Sequence, residues 1–193
     1  MSDDRIFLPE IDALLCAEKG VCEAGFDVRE QSRSLAQQVL VQAQRFGVSI
    51  ACAESLTGGR LADAFVSVPG ASAVFRGSAV TYASEAKAQI LGVDSDLLKS
   101  RGAVDAVVAM QMAAGASRIY CADFSIATTG VAGPGPAEGK PAGTVFIGIK
   151  TPDRRAYWQG SISGNRKYVR DVTVWVGLKA LSAEFQGNGK FFS

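Results

Sequence analysis

Apolar positions along the chain fall into alternating helical and extended patterns. Leu35, Val39, Leu40, Ala43 and Phe46 recur at helical spacing, and Gly47 ends the run. Val48-Ser49-Ile50-Ala51-Cys52-Ala53 reads as a short buried strand. It leads into Glu54-Ser55-Leu56-Thr57-Gly58-Gly59, a turn that opens a helix over 57–66. After a loop at Pro69-Gly70, residues 74–82 alternate as a strand, and Ser84-Glu85-Ala86-Lys87 begins a helix ending near Gly92. A further helix is predicted over 106–116. Phe124-Ser125-Ile126-Ala127-Thr128 is a strand that enters a long Gly/Pro loop, 130–143. Two strands follow, 144–150 and 155–161, around a tight turn at Thr151-Pro152-Asp153. Val169, Val172, Thr173, Val176 and Ala180 then share one helical face, with Asn165 as N-cap, although β-branched residues lower helix propensity.

Strands alternating with helices predict a layered α/β sandwich, and the late pair of strands makes its sheet mixed. A length of 193 residues suits one domain. We expect an N-terminal extension over 1–30, partly helical around an apolar patch at 11–16. The domain itself is expected over 31–185, with a tail over 186–193.

Composition narrows the class. Apolar residues make up 48% of the chain, enough for a core without metal or disulfide staples. The net charge is +1 and no basic stripe is visible, which argues against a nucleic-acid partner and for a small ligand. The start, Met1-Ser2-Asp3-Asp4-Arg5, is acidic where a signal peptide is basic. No apolar run approaches the roughly 20 residues that span a bilayer, so a cytoplasmic protein with no membrane partner is expected. Cys16, Cys22, Cys52 and Cys121 lack metal-type spacing and read as reduced thiols; no metal is expected. There is no histidine, which removes Ser-His-Asp and Cys-His catalysis together.

Ser55 stands where a strand turns into a helix, so its hydroxyl is exposed at the sheet edge. The free N–H groups of the next turn are expected to face a ligand or an oxyanion. Gly58 and Gly59 allow close approach to the backbone, so Thr57, Gly58 and Gly59 are expected to border a substrate. Ser55 or Thr57 serves equally as a plain N-cap, and the local sequence alone favours that. If Ser84 caps its helix, Lys87 falls in the first turn. There the macrodipole and burial both depress an ammonium pKa, which suits a general base. By spacing alone it is an ordinary surface lysine. Tyr82 is placed to bond both groups through its phenol, or to pack on the sheet. Thr128-Thr129-Gly130-Val131-Ala132-Gly133-Pro134-Gly135 follows a strand, where α/β proteins place ligand loops, but it matches neither the Walker nor the dinucleotide pattern. Arg166 and Arg170 are able to grip a phosphate or carboxylate, or to sit in solvent.

In register, these motifs resemble the C-terminal domain family of CinA, the competence/damage-inducible protein, which includes nicotinamide-nucleotide amidohydrolases. The resemblance rests on Ala53-Glu54-Ser55-Leu56-Thr57-Gly58-Gly59, Ser67-Val68-Pro69-Gly70-Ala71-Ser72, Val80-Thr81-Tyr82 with Glu85-Ala86-Lys87, and Leu91-Gly92-Val93. It continues through Thr129-Gly130-Val131-Ala132-Gly133-Pro134-Gly135, Gly143-Thr144-Val145 and the segment from Arg166 to Arg170. It implies a three-layer α/β/α sandwich with a mixed, mostly parallel sheet, and homo-oligomers. It further implies hydrolysis of nicotinamide mononucleotide to nicotinate mononucleotide and ammonia, without cofactor. Carried over by motif, Ser55 is the nucleophile, Lys87 the base and Tyr82 an aid to proton traffic. Thr129 and Gly130 position the pyridine nucleotide, and Arg166 meets its phosphate. The chain departs from the family in two places: Ser84 stands where an asparagine is common, and Asp105-Ala106-Val107 where Ser-Glu-Glu is usual. Two other readings stay open: a non-catalytic nucleotide-binding domain on the same fold, and a DNA-associated factor that the charge balance disfavours.

Overall fold

Asp27 starts the first helix by accepting hydrogen bonds from the N–H groups of Arg29 and Glu30, and Gly47 closes it in a left-handed turn. This helix, α1 (Val28–Phe46), therefore begins just inside the stretch read as an extension. The computed structural model describes residues 27–187; the apolar patch at 11–16 and most of the expected tail lie outside these. The order continues with β1 (Ile50–Glu54), α2 (Arg60–Val66), a 3-10 turn at Ala71–Ala73, β2 (Phe75–Val80), α3 (Ser84–Leu91), α4 (Ser95–Arg101) and α5 (Ala106–Tyr120). β3 (Phe124–Gly130), β4 (Thr144–Lys150), β5 (Arg155–Ser161) and α6 (Arg166–Gly187) complete it.

The five strands form one sheet in the order β2-β1-β3-β4-β5. β1 pairs in parallel with β2 and β3, whereas β4 runs antiparallel to both of its neighbours. Four strands thus point one way and one the other, a mixed sheet in the expected sense.

The two faces differ in residue size. Ile50, Cys52, Phe124, Ile126, Val145, Ile147 and Ile149 pack with α1, α2 and α6 in the larger core. The alternate residues are small: Ala51, Ala53 and Ala127 meet Val108, Met112, Ala113 and Ala116 of α5. Period-two alternation puts bulk on one side and lets α5 lie close on the other. At Gly148 a Cβ would collide with the Ala109 carbonyl of α5. The layers are therefore helix, sheet, helix. The β-branched content of α6 does not prevent helix formation, because Val169, Val172, Thr173, Val174 and Val176 are all buried. Burying such a side chain is worth about 1.5–3 kcal/mol, well above its propensity cost.

Parallel strands β1, β2 and β3 deliver their carboxyl ends to one edge, with Glu54 in register with both Val80 and Thr128. The segments leaving that edge carry Ser55, Tyr82 and Gly130. It is the edge where open α/β sheets bind ligands.

Candidate active site

Glu54, the last residue of β1, is wholly buried. Its Oε2 accepts from Thr57 Oγ1 at 2.8 Å, the Gly59 N–H at 2.9 Å and the Leu61 N–H at 3.0 Å. Its Oε1 accepts from the Ala62 N–H at 2.9 Å and Ser78 Oγ at 3.0 Å. The carboxylate thus caps α2 from the preceding strand, an anion at the positive end of the helix. The sequence reading left these N–H groups for a ligand; they are occupied by Glu54. Thr57 is likewise committed, its Oγ1 lying between Glu54 and Thr128 Oγ1, 2.7 Å away. Gly58 backs onto Arg170, where a Cβ would come within 2.9 Å of Nη2. Thr57, Gly58 and Gly59 therefore build the turn from behind and do not border the cavity that Ser55 faces.

Arg170 locks the same turn, donating to the carbonyls of Leu56 (2.7 Å) and Thr57 (2.8 Å). Two of its guanidinium nitrogens, Nε and Nη2, are thereby committed to the turn. With Glu54 on one side and Arg170 on the other, the backbone that carries Ser55 is held through its donors and its acceptors alike.

Lys87 arrives from α3, whose first residue is Ser84 and whose N-cap is Ala83, with no side-chain cap bond. Ser84 does not cap, and Lys87 closes the first turn. Its side chain is fully buried, and Nζ lies 3.2 Å from Ser55 Oγ. Nζ also donates to the carbonyls of Thr81 at 2.9 Å and Tyr82 at 3.1 Å. A neutral amine has two hydrogens and one lone pair. When the two carbonyls take the hydrogens, the lone pair is left for the third neighbour, the Ser55 hydroxyl. Burial lowers the Lys87 pKa, opposed by the carboxylates of Glu138 and, more weakly, Glu85.

A cavity of about 300 Å³ opens over this pair. Thr129 and Gly130 line it, as does Arg166 from the start of α6. The Thr129 hydroxyl donates to the Ala103 carbonyl at 2.7 Å, so its hydrogen holds the wall. Gly130 has no room for a side chain: a Cβ would meet the Thr144 carbonyl oxygen at 2.5 Å. Arg166 Nη1 donates to the Gly133 carbonyl (2.7 Å) and Nη2 to Tyr82 Oη (3.2 Å). Tyr82 is 64% exposed. Its phenol points to Arg166, not to the serine and lysine, and only its main-chain carbonyl reaches Nζ. Of the two readings of Tyr82, a phenol shared by serine and lysine or packing on the sheet, the structure shows neither contact and instead a phenol bonded by Arg166.

Two residues that sequence reasoning did not single out matter here, Glu54 as a support and Glu138 as a cavity carboxylate, while Arg170, read there as an anion grip or a solvated side chain, instead braces the turn. Glu54 precedes Thr57 by three residues, the reverse of the Ser/Thr-to-Glu capping pattern, so the sequence carried no recognised sign of its capping role. Arg170 lies 113 residues from Thr57, and no local pattern joins them. Among the described residues there is no cluster suited to a metal ion, and no helix is long and apolar enough to cross a membrane.

A model of the CinA C-terminal domain matches residues 32–185. A CinA-like protein of Frankia casuarinae is 48% identical over 126 residues, covering 65% of this chain and 29% of its own length. A putative competence-damage inducible protein of Bacillus pumilus is 36% identical over 178 residues, 90% of this chain and 41% of the relative. The chain thus spans less than half the length of these two relatives. Among solved structures, a CinA superfamily protein of Klebsiella pneumoniae superposes with a TM-score of 0.78 at 29% identity, covering 81% of this chain and 98% of the other. The competence/damage inducible protein of Agrobacterium tumefaciens gives 0.76 at 36% identity, covering 79% and 94%.

Proposed function

This chain belongs to the CinA C-terminal domain family, and from that premise we propose that it is a serine–lysine amidohydrolase acting on nicotinamide mononucleotide. The observation that carries the reading is the buried amine 3.2 Å from the Ser55 hydroxyl, its two other contacts being carbonyl oxygens. In a chain with no histidine, this pair supplies nucleophile and base together.

The geometry supports the following chemistry. Ser55 Oγ attacks the carboxamide carbon while Lys87 Nζ takes the hydroxyl proton. The resulting ammonium is held by the Thr81 and Tyr82 carbonyls and returns a proton to the departing nitrogen, so ammonia leaves and a serine ester remains. Water, deprotonated by the same lysine, then releases nicotinate mononucleotide. Because Glu54 consumes the donors of α2, oxyanion donors come from main chain beside the cavity. The Leu56 N–H, next to the nucleophile, has no partner among the backbone bonds of the described residues. Arg166, at the cavity rim, is the cation for the phosphate. Holding that group away from the reacting amide fixes orientation, worth several orders of magnitude in rate.

Ammonia release from nicotinamide mononucleotide tests this. Wild type is expected to turn over, Ser55→Ala to fall to background, and Lys87→Ala to lose about 10²–10⁴-fold in kcat. Activity untouched by either substitution would overturn the assigned roles. Saturable nucleotide binding without turnover by the wild type would make the domain a non-catalytic binder.

A further inference from the structure

Three charged side chains line the cavity, Lys87, Arg166 and Glu138, and the reaction as described gives no part to the third. Glu138 lies in the loop between β3 and β4, and its Oε2 accepts from the Val104 N–H at 3.0 Å. The direction of this carboxylate is built in. Glu138 has a left-handed backbone (φ 51°), uncommon for a residue with a side chain, in a loop closed by reciprocal 3.0 Å hydrogen bonds between Ala137 and Lys140. Gly102 leaves the space the carboxylate fills, for a Cβ there would collide with Oε2.

Glu138 forms no ion pair among the described residues. The nearby cations are engaged elsewhere: Lys140 Nζ donates to the Arg101 carbonyl, and Arg101 pairs with Asp105. One N–H leaves most of a carboxylate's acceptor capacity unused. An anion here also works against a neutral Lys87, since it is the strongest charge favouring the ammonium form. That tension disappears if a positive group of the substrate sits between them, pairing with Glu138 and repelling a proton on the lysine.

We propose that Glu138 makes this site selective for a carboxamide borne on a cationic ring, with the substrate's anionic end at Arg166. This inference rests on the amidohydrolase reading for the pose, with the carboxamide at Ser55.

The test is calorimetric binding in a Ser55→Ala background, which removes turnover. The probes are nicotinamide mononucleotide and its reduced form, which keeps the carboxamide and phosphate but has an uncharged ring. Glu138→Gln retains an acceptor for the Val104 N–H and removes only the charge. It is expected to weaken the cationic nucleotide about tenfold, a step of about 1.4 kcal/mol, and to change the reduced one by less than about twofold. Equal weakening of both would make Glu138 a latch for its loop and overturn the proposal, as would no change in either. No binding of either nucleotide would overturn it too. Failure of the catalytic reading registers separately, as no ammonia from the wild type; a cation-specific loss of binding on Glu138→Gln would still stand.

Discussion

Lys87 must be uncharged to accept a proton, and its surroundings pull its proton affinity in two directions. Burial lowers the pKa, while Glu138 and Glu85 raise it. With a base that works deprotonated, kcat/KM is expected to climb with pH and level off above the lowered lysine pKa. Removing a carboxylate that favours the ammonium moves this limb to lower pH, so Glu85→Gln should shift it in the acid direction. A rate–pH profile checks both the limb and the shift; a limb indifferent to Glu85 would mean that another group titrates. Tyr82 separates from the pair at this scale. Its phenol bonds Arg166, so Tyr82→Phe is expected to raise KM several-fold with little loss of kcat, and a proton-shuttle role would do the reverse. The identities of Ser55 and Lys87 were readable in the sequence only through family register, since their proximity spans 32 residues. The side Tyr82 would turn to was not readable, because a tyrosine at a strand end has its carbonyl and its phenol facing different neighbours.

Among the elements, the turn between β1 and α2 leans on one buried side chain, Glu54. Glu54→Ala would strip the buried Leu61 N–H and the part-buried Gly59 and Ala62 N–H groups of their acceptor, and a fully buried orphaned donor costs about 1–3 kcal/mol. We expect a loss of about 3 kcal/mol or more in denaturant unfolding. Glu54→Gln should cost less, since its amide oxygen keeps part of the cap. Elements were legible where an apolar stripe or a tight turn marked them: β4 and β5 stand where the residues around Thr151-Pro152-Asp153 predict them. α4 was missed because none of its residues is buried, so it presents no stripe. Its one local sign is Asp94, whose carboxylate accepts from the Asp96 and Leu97 N–H groups. The predicted helix over 57–66 starts instead at Arg60, because Thr57, Gly58 and Gly59 are held in a turn by Glu54 and Arg170.

For the molecule as a whole, one topological fact collects the chemistry: β1, β2 and β3 end together, and the loop into β4 and the start of α6 close over that edge. Every polar group assigned to the reaction lies there, within the residues the family model spans. The chain's charge bears on what fills the site. A net charge of +1 offers no long-range attraction for a polyanion, whereas a guanidinium and a carboxylate lining a cavity of about 300 Å³ suit the proposed zwitterion. Ligand linkage makes this measurable in thermal unfolding of Ser55→Ala. If it binds as proposed, nicotinamide mononucleotide at a hundredfold excess over its Kd is expected to stabilise the native state by about 2.7 kcal/mol, roughly 5–10 °C in Tm for a domain of this size. Duplex DNA at matched phosphate concentration and moderate salt is expected to leave Tm unmoved. The reverse pattern, a melt raised by DNA and not by the mononucleotide, would transfer the site's partner from a small zwitterion to a polymer. It would require a basic surface that neither the composition nor the cavity displays.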